Sequence, residues 1–438
     1  MSVSRAEELR ELVTGSCRLA VRWLVNPGQS PLENVCLSIE DGRLADIRPA
    51  DSSNGPVRPL MLIPPLVNAH THLEFSDLTE PLRPPTPFPD WIRSVIRWRR
   101  EAAARGTPDV ATTATAIQRG IEESRAQGVQ LIGEIATTDP LITAVSPRCL
   151  VFREAIGLGP ERIKQQLGMI DEFLRLRPAI QAAGGHIGLS PHAPYSVHLE
   201  LLQGMVERAQ QYELPLAMHI AETHEERQLL GEGNGLLADF LKSLDLFDSL
   251  MFPGNRAVTE YLELLAQGPR ALIVHGNWLD AAEIDFIAAH RSLSVVYCPR
   301  THAWFGHPEY PLRRLLAAGV RVTLGTDSRA SNPDLSIWSE IQHLLRHHPW
   351  CSPLQALDMV TCSAAASLGT PHASQPLVVQ GRFLATVLEC PKENSTLREC
   401  FLSSRVVTEL SGPDLETAQK FLWNRTGISG SALPKPRS

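Results

Sequence analysis

Pro64-Pro65-Leu66-Val67-Asn68-Ala69-His70-Thr71-His72 is an apolar run that ends in two histidines spaced two residues apart. In an extended strand alternate side chains share a face, so both imidazoles point into the same space. That arrangement suits two ligands of one metal ion, and imidazole is a borderline ligand for Zn, Fe or Ni. With 15 histidines in 438 residues, such a spacing arises by chance about once in every two chains. The pair gains meaning only if the rest of the chain supplies further imidazoles and a carboxylate in matching places.

Downstream of it, short apolar runs alternate with amphipathic segments. The runs are 129–133, 150–155, 186–189, 216–219, 271–275, 293–298 and 320–325, and between them lie segments such as 107–126, 161–176, 199–212, 281–290 and 312–318. Thr107-Pro108-Asp109 reads as a helix start, with Pro near the first helical position and an acid in the first turn. Counting the histidine strand, this makes eight strands joined by helical crossovers. A parallel sheet follows, and eight repeats favour an α/β fold of the (β/α)8 TIM-barrel kind over an open sheet.

The flanks read differently. Strand-like runs at 17–25, 35–39 and 44–47 are separated by Asn26-Pro27-Gly28 and Asp41-Gly42 turns, and the turn-rich Asp51-Ser-Ser-Asn-Gly-Pro leads into the barrel. After a helix expected over 353–368, strand-like runs return at 377–379, 382–388 and 405–410. The two flanks are therefore expected to build one small β-sandwich domain. The boundaries are placed at 1–63, 64–368 and 369–426, with a disordered tail over 427–438.

Composition narrows the function classes. A net charge of −7 gives no electrostatic reason to expect nucleic acid or an anionic membrane as partner. The charged start, Met1-Ser-Val-Ser-Arg-Ala-Glu-Glu, lacks the apolar core of a signal peptide. No run approaches the ~20 apolar residues of a spanning helix. Eight scattered cysteines without a CxxC pair read as free thiols of a reducing compartment, so a cytoplasmic location is expected. A small-molecule substrate is the expected partner, with a homo-oligomer left open.

Active sites of such barrels sit at the C-terminal ends of the strands. Strand 1 ends at His70 and His72, strand 5 at His219 followed by Ile-Ala-Glu222, strand 6 at His275, and strand 8 at Asp327. Each is a polar residue closing an apolar run, and their joint occurrence on one rim reads as a metal site. A non-catalytic scaffold barrel would be marked by loss of one of these residues, and none is lost.

His70-Thr-His72, His219-Ile-Ala-Glu222, His275 and Gly325-Thr-Asp327 together resemble the amidohydrolase superfamily, nearest its mononuclear deaminase branch. That branch includes adenosine- and S-adenosylhomocysteine-type deaminases, cytosine and guanine deaminases and triazine chlorohydrolases. The resemblance implies that His70, His72, His219 and Asp327 hold one divalent ion, zinc with iron as the alternative. Binuclear members carry a carboxylated lysine or a glutamate late in the first half of the barrel. Here strand 4 offers Leu189-Ser190-Pro191-His192, which argues for a single ion.

The implied chemistry is hydrolytic deamination of an aminated heterocycle. Metal-bound hydroxide attacks the ring amidine carbon, and Asp327 takes the proton that water loses. Glu222 protonates the ring nitrogen and then the departing amine, and His275 stabilises the attacking oxygen. Ammonia leaves from a 6-aminopurine nucleoside of aminofutalosine, methylthioadenosine or adenosylhomocysteine type. The alternative is a chlorohydrolase or another hydrolase of the superfamily; chloride leaves without a proton, so an intact Glu222 tilts the reading towards deamination.

Candidate substrate contacts come from the loops. Ser190-Pro-His-Ala-Pro-Tyr195 is similar to the motif that places a substrate-contacting histidine in nucleoside deaminases, which points to His192. After strand 7, Arg300, His302 and Trp304 are candidates. Leu73-Glu74-Phe75-Ser76 with Phe88-Pro-Asp-Trp91-Ile-Arg-Ser-Val-Ile resembles the aminofutalosine deaminases of menaquinone biosynthesis and adds Trp91. Gly381-Arg-Phe-Leu-Ala-Thr-Val lacks the aspartate common in that segment of the family, a change that bears on the packing of the β domain.

Overall fold

The computed structural model describes residues 17–51, 56–82, 87–104, 110–137, 149–182, 184–391 and 395–411. Most of Asp51-Ser-Ser-Asn-Gly-Pro, the Thr107-Pro108-Asp109 helix start, residues 412–426 and the tail lie outside the described residues.

Four strands open the described chain: β1 (Cys17–Leu24), β2 (Leu32–Glu40), β3 (Arg43–Pro49) and β4 (Arg58–Ile63). The barrel follows as β5 (Leu66–Thr71), β6 (Val129–Ala136), β7 (Cys149–Ala155), β8 (His186–Pro191), β9 (Pro215–Ile220), β10 (Arg270–His275), β11 (Leu293–Tyr297) and β12 (Val322–Leu324). β13 (Leu384–Glu389) and β14 (Arg405–Ser411) close the described chain. The eight barrel strands pair in chain order, each parallel to the next.

Helices cover the outside of the barrel through apolar stripes. Leu199–Tyr212 shows the pattern: Leu201, Leu202, Met205, Val206 and Ala209 are buried on one face, and Glu213 ends the helix in a left-handed conformation at φ 54°. Inside, Val67, Ala69, Leu131, Leu150, Phe152, Ala217, Leu272, Val274 and Val296 come from six strands and form one apolar cluster.

The flanking strands form the small β domain as one sheet in the order β14-β13-β4-β1-β2-β3, antiparallel except where β1 lies beside β4. Strand alternation explains how it is fastened to the barrel. On β4, Leu60 and Leu62 join a core with Leu19, Val21, Leu37 and Phe383, while Met61 and Ile63 point the other way into the core of the barrel layer. The 377–379 run is not a strand: Asn26 accepts from the Leu377 N–H at 2.8 Å and donates to the Leu377 carbonyl at 3.0 Å, which turns the chain there.

The single helix expected over 353–368 is two, Pro353–Asp358 and Cys362–Ser367. The reason lies across the barrel seam. β12 is only three residues long, so it cannot close a full ladder against β5. The interruption frees two carbonyls that close it instead: Met359 accepts from the Leu324 N–H at 3.1 Å and Val360 from the Val67 N–H at 2.7 Å. Beyond them Asp327 N–H donates to the His70 carbonyl at 3.1 Å, Thr71 Oγ1 to the Asp327 carbonyl at 2.9 Å, and Asn68 Nδ2 to Thr326 Oγ1 at 2.7 Å. Among the described residues no helix is long and apolar enough to cross a membrane, and all eight cysteines are free.

Gly325 lies flat on this seam: a Cβ there would stand 2.9 Å from both the Cβ and the carbonyl oxygen of His70. Gly325→Ala is expected to lower stability by about 1–3 kcal/mol through overpacking against backbone that cannot yield. Urea unfolding checks this, with an unchanged midpoint as the contrary result.

Candidate active site

The strand ends converge. His70, at the end of β5, and His72 just beyond it have ring centroids 4.9 Å apart; His219 lies 5.0 Å from His70 and 5.5 Å from His72, and His275 lies 5.4 Å from His219. Candidate ligand atoms of His70, His72 and His219 all fall within 4.8 Å of one another. Asp327 Oδ1 stands 3.6 Å from His70 Nε2 and 3.7 Å from His72 Nε2. Donors bound tetrahedrally at about 2.0–2.1 Å would sit roughly 3.4 Å apart, so this N3O set is close to the size of a zinc shell.

The donors are also in the right chemical state. His219 Nδ1 stands 2.9 Å from the His192 carbonyl, which can only accept, so Nδ1 carries the hydrogen and Nε2 keeps its lone pair. Burial, reinforced by neighbouring imidazoles, holds His72 and His219 well below the usual histidine range, so both rings are neutral. Both nitrogens of buried His70 have no protein hydrogen-bond partner, and an ion bound at Nε2, the atom beside Asp327, would satisfy one of them. Burial would push the Asp327 carboxyl up, but the imidazoles of His70, His275 and His72 outweigh it and keep it ionised. Ser331 Oγ donates to Asp327 Oδ2 at 2.9 Å and fixes its orientation. These residues fit a divalent metal ion.

A second trio, Glu154, His192 and His219, is equally close-set. It shares His219, whose Nδ1 is already committed to the backbone, so the two groups cannot both draw a ligand from that ring at once. At most one of the two groups can use that ring for an ion.

Three residues of this rim adopt left-handed backbone without being glycine: Ala221 at φ 50°, His275 at φ 70° and Asp327 at φ 56°. Such conformations persist only where surroundings over-determine them, and they collect at functional sites. Here Trp278 N–H holds the Ala221 carbonyl at 2.9 Å, Tyr310 Oη donates to the His275 carbonyl at 2.8 Å, and the seam holds Asp327. Tyr310 is itself clamped, stacked on Tyr297 with centroids 3.6 Å apart.

Glu222 follows the Ala221 turn, with Oε1 3.5 Å from His275 Nε2. Burial, then the negative charges of Asp327, Glu226 and Glu225, raise its carboxyl well above the usual range, the direction that favours the protonated form. It lines a cavity of about 500 Å³, together with His72, His192, His219, His275 and Asp327. The remaining wall is largely apolar: Phe88, Trp91, Ile92, Val95 and Ile96 from one helix, Leu158, and Phe240, Leu241, Leu244 and Leu246 from another segment.

The structure brings His70, His72, His192, His219, Glu222, His275, Asp327 and Trp91 to this cavity or its floor. Burial pushes His192 down to about 3, and Ser196 Oγ stands 2.6 Å from its Nδ1. Because Ser196 Oγ donates to the Ala193 carbonyl at 3.1 Å, it accepts from His192 Nδ1–H and leaves Nε2 as an acceptor. Trp91 stacks on Phe88 and meets Phe305 edge-on.

Arg300, His302 and Trp304 are not brought to the cavity wall. The helix Pro299–Trp304 begins directly after β11 and turns them to the flank of the barrel. There the fully buried carboxylate of Glu340 takes Arg300 Nε at 2.6 Å, Asp334 Oδ1 takes its Nη2 at 2.8 Å, and His302 packs between Tyr297, Tyr310 and His307.

Reasoning from sequence missed the wall over 240–246 and the acids Glu134 and Glu154. The acids had a signal, since each is a charged residue inside an otherwise apolar barrel strand. Glu74 of the Leu73-Glu74-Phe75-Ser76 run holds Arg99 at the cavity: Arg99 Nη2 lies 2.6 Å from Glu74 Oε1, which also accepts from Thr137 Oγ1 at 2.8 Å.

Comparison with known proteins agrees with this geometry. The model of the Amidohydrolase family matches residues 61–374. The 5′-deoxyadenosine deaminase of Methanothermobacter thermautotrophicus is 27% identical over 409 residues, covering 86% of each chain. The structure of Helicobacter pylori aminofutalosine deaminase in complex with methylthio-coformycin superposes with a TM-score of 0.73 at 21% identity, over 90% of this chain and 98% of that one. A variant of the Arthrobacter aurescens atrazine chlorohydrolase, complexed with zinc and atraton, gives 0.66 at 18% identity, over 93% and 99%. At these identities the two structures speak for the fold alone.

Tyr310→Phe removes the donor that holds the His275 carbonyl and leaves that carbonyl buried without its partner. The expected loss is about 1–3 kcal/mol of stability, read by thermal or denaturant unfolding; a variant as stable as the parent would show that the bond does not hold the turn.

Proposed function

Because the chain belongs to the amidohydrolase family, we propose that it is a zinc-dependent hydrolytic deaminase of a 6-aminopurine nucleoside, working in the cytoplasm. The observation that carries this is the convergence at one cavity of the donor set His70, His72, His219 and Asp327 with Glu222, whose Oε1 stands 3.5 Å from His275 Nε2. The directions in which their surroundings push Asp327 and Glu222 agree with one acting as base and the other as acid.

His70, His72, His219 and Asp327 would hold the ion, with zinc favoured by the N3O donor set. When bound, a divalent ion supplies a hydroxide nucleophile near neutral pH by lowering the pKa of coordinated water. Asp327, as the carboxylate beside that nucleophile, takes up its proton. Glu222 donates its proton to the ring nitrogen next to the attacked carbon, then takes the hydroxyl proton of the tetrahedral centre and delivers it to the amine, which leaves as ammonia. The proton held by Asp327 restores the Glu222 carboxyl. His275 hydrogen-bonds the oxygen on which charge develops. Water is consumed, the C–N bond breaks, and the oxo-purine remains.

The apolar wall supports a nucleoside whose 5′ side carries a group of low polarity, and its aromatic rings suit stacking on a heterocycle. The names of the relative and of the Helicobacter protein agree with adenine-nucleoside chemistry. The chlorohydrolase reading draws on likeness of fold, and an acid held neutral favours a leaving group that must be protonated.

In a test of zinc-loaded protein, ammonia release is expected from 5′-modified adenine nucleosides within a panel of adenosine, 5′-deoxyadenosine, methylthioadenosine, adenosylhomocysteine, aminofutalosine, cytosine and guanine. Chloride from a chlorotriazine with no ammonia from any of these would overturn the assignment. Glu222→Gln should keep its metal and lose roughly 10²–10⁴-fold in kcat. Metal analysis should return about one ion per chain, falling on His72→Ala; two per chain would refute the single-ion site.

A further inference from the structure

Thr223-His224-Glu225-Glu226 opens the helix His224–Glu232 with the spacing of a capping box, in which the acid at the third helical position returns to the N–H of the cap residue. Only half of that motif forms. Thr223 Oγ1 accepts from Glu226 N–H at 3.2 Å. The Glu226 carboxylate, however, reaches past Thr223. Its Oε1 accepts from the Ala221 N–H at 2.8 Å and its Oε2 from the Glu222 N–H at 3.2 Å.

Both of those donors belong to the left-handed turn that carries Glu222 from the end of β9 into the cavity. The carbonyls of the turn have other partners: Trp278 N–H on Ala221 at 2.9 Å and Asn277 Nδ2 on Glu222 at 2.9 Å. Its two N–H groups depend on Glu226, which is fully buried, as is Ala221. Without an acceptor these N–H groups would be stranded away from water, and the turn would have reason to leave its strained conformation.

We infer that Glu226 is the positioning residue of the proton donor: its two carboxylate oxygens clamp successive backbone N–H groups of the Ala221 turn and so aim Glu222 at the cavity. This rests on Glu222 being the proton donor of the proposed reaction. In its ionised form Glu226 also raises the Glu222 carboxyl. A glutamine at position 226 keeps the volume but offers one acceptor instead of two, and its amide N–H2 would face a backbone donor.

The experiment uses the full, zinc-loaded chain with Glu226→Gln, Glu222→Gln and the double variant. Glu226→Gln should keep about one metal per chain and a KM within about threefold of the parent. Its kcat should fall by roughly 10–100-fold, the scale of a misplaced catalytic group. The double variant should be no slower than Glu222→Gln alone, because aiming an absent acid costs nothing. A Glu226→Gln enzyme with the parent's kcat and only a lower melting temperature would reduce Glu226 to a helix cap, and additive losses in the double variant would also overturn the inference. Amide hydrogen exchange at Ala221 and Glu222 separates this from failure of the substrate reading. Faster exchange at both amides in Glu226→Gln supports the clamp even if no nucleoside is deaminated; unchanged exchange refutes it even in an active enzyme.

Discussion

The hydrogen bond from the Asp327 N–H to the His70 carbonyl, 3.1 Å across the barrel seam, ties the fold to the site. It joins the first strand of the barrel to the end of the last, and it joins the backbones of two of the four residues that would hold the ion. Gly325 makes the approach possible because anything larger would meet His70 itself. Closing the barrel and assembling the donor set are therefore one event. A chain that failed to close would leave His70 and His72 on one edge and Asp327 on the other, with no shared space for a metal.

The closed rim gathers groups that resist being buried together. Burial lowers the imidazoles of His72, His192, His219 and His275. The adjacent His70, His275 and His72 rings draw the Asp327 carboxyl down against burial, and burial, then the charge of Asp327, raises the Glu222 carboxyl. Backbone in the left-handed region at Ala221, His275 and Asp327 adds to the cost. What offsets it lies outside the rim, in the apolar layers between strands and helices and in donors such as buried Tyr310 and the half-buried Trp278, which hold the carbonyls of His275 and Ala221.

Much of this was legible in the sequence because the barrel writes its site in a simple grammar: an apolar strand, then a polar residue where a turn residue would serve. His219, His275 and Asp327 could be found that way, and the strand-like runs at 17–25, 35–39 and 44–47 marked the flanking sheet, although β4 was not among them. The features that escaped depend on partners remote in the chain. The break between the helices Pro353–Asp358 and Cys362–Ser367 exists to offer carbonyls to Val67 and Leu324, and nothing local to 359–361 announces it. Arg300 stands where a substrate contact is expected from sequence, but its partner is the buried carboxylate of Glu340, forty residues on. The wall over 240–246 has no motif at all; Leu241 is buried with the core leucines, and Leu244 and Leu246 differ only in remaining exposed.

Glu222 and Glu226 show where sequence and electrostatics together still stop short. They lie four residues apart, both buried, and burial raises both carboxyls, Glu226 to about 7. On those grounds either could be the acid. Hydrogen bonding separates them: both oxygens of Glu226 are spent on the backbone, whereas the carboxyl of Glu222 faces the cavity with His275 beside it. A group whose lone pairs hold a turn in place cannot also exchange protons with a ligand without letting the turn go. The division of labour thus follows from which acid is left with a free face, and the strained Ala221 turn is what leaves that face to Glu222.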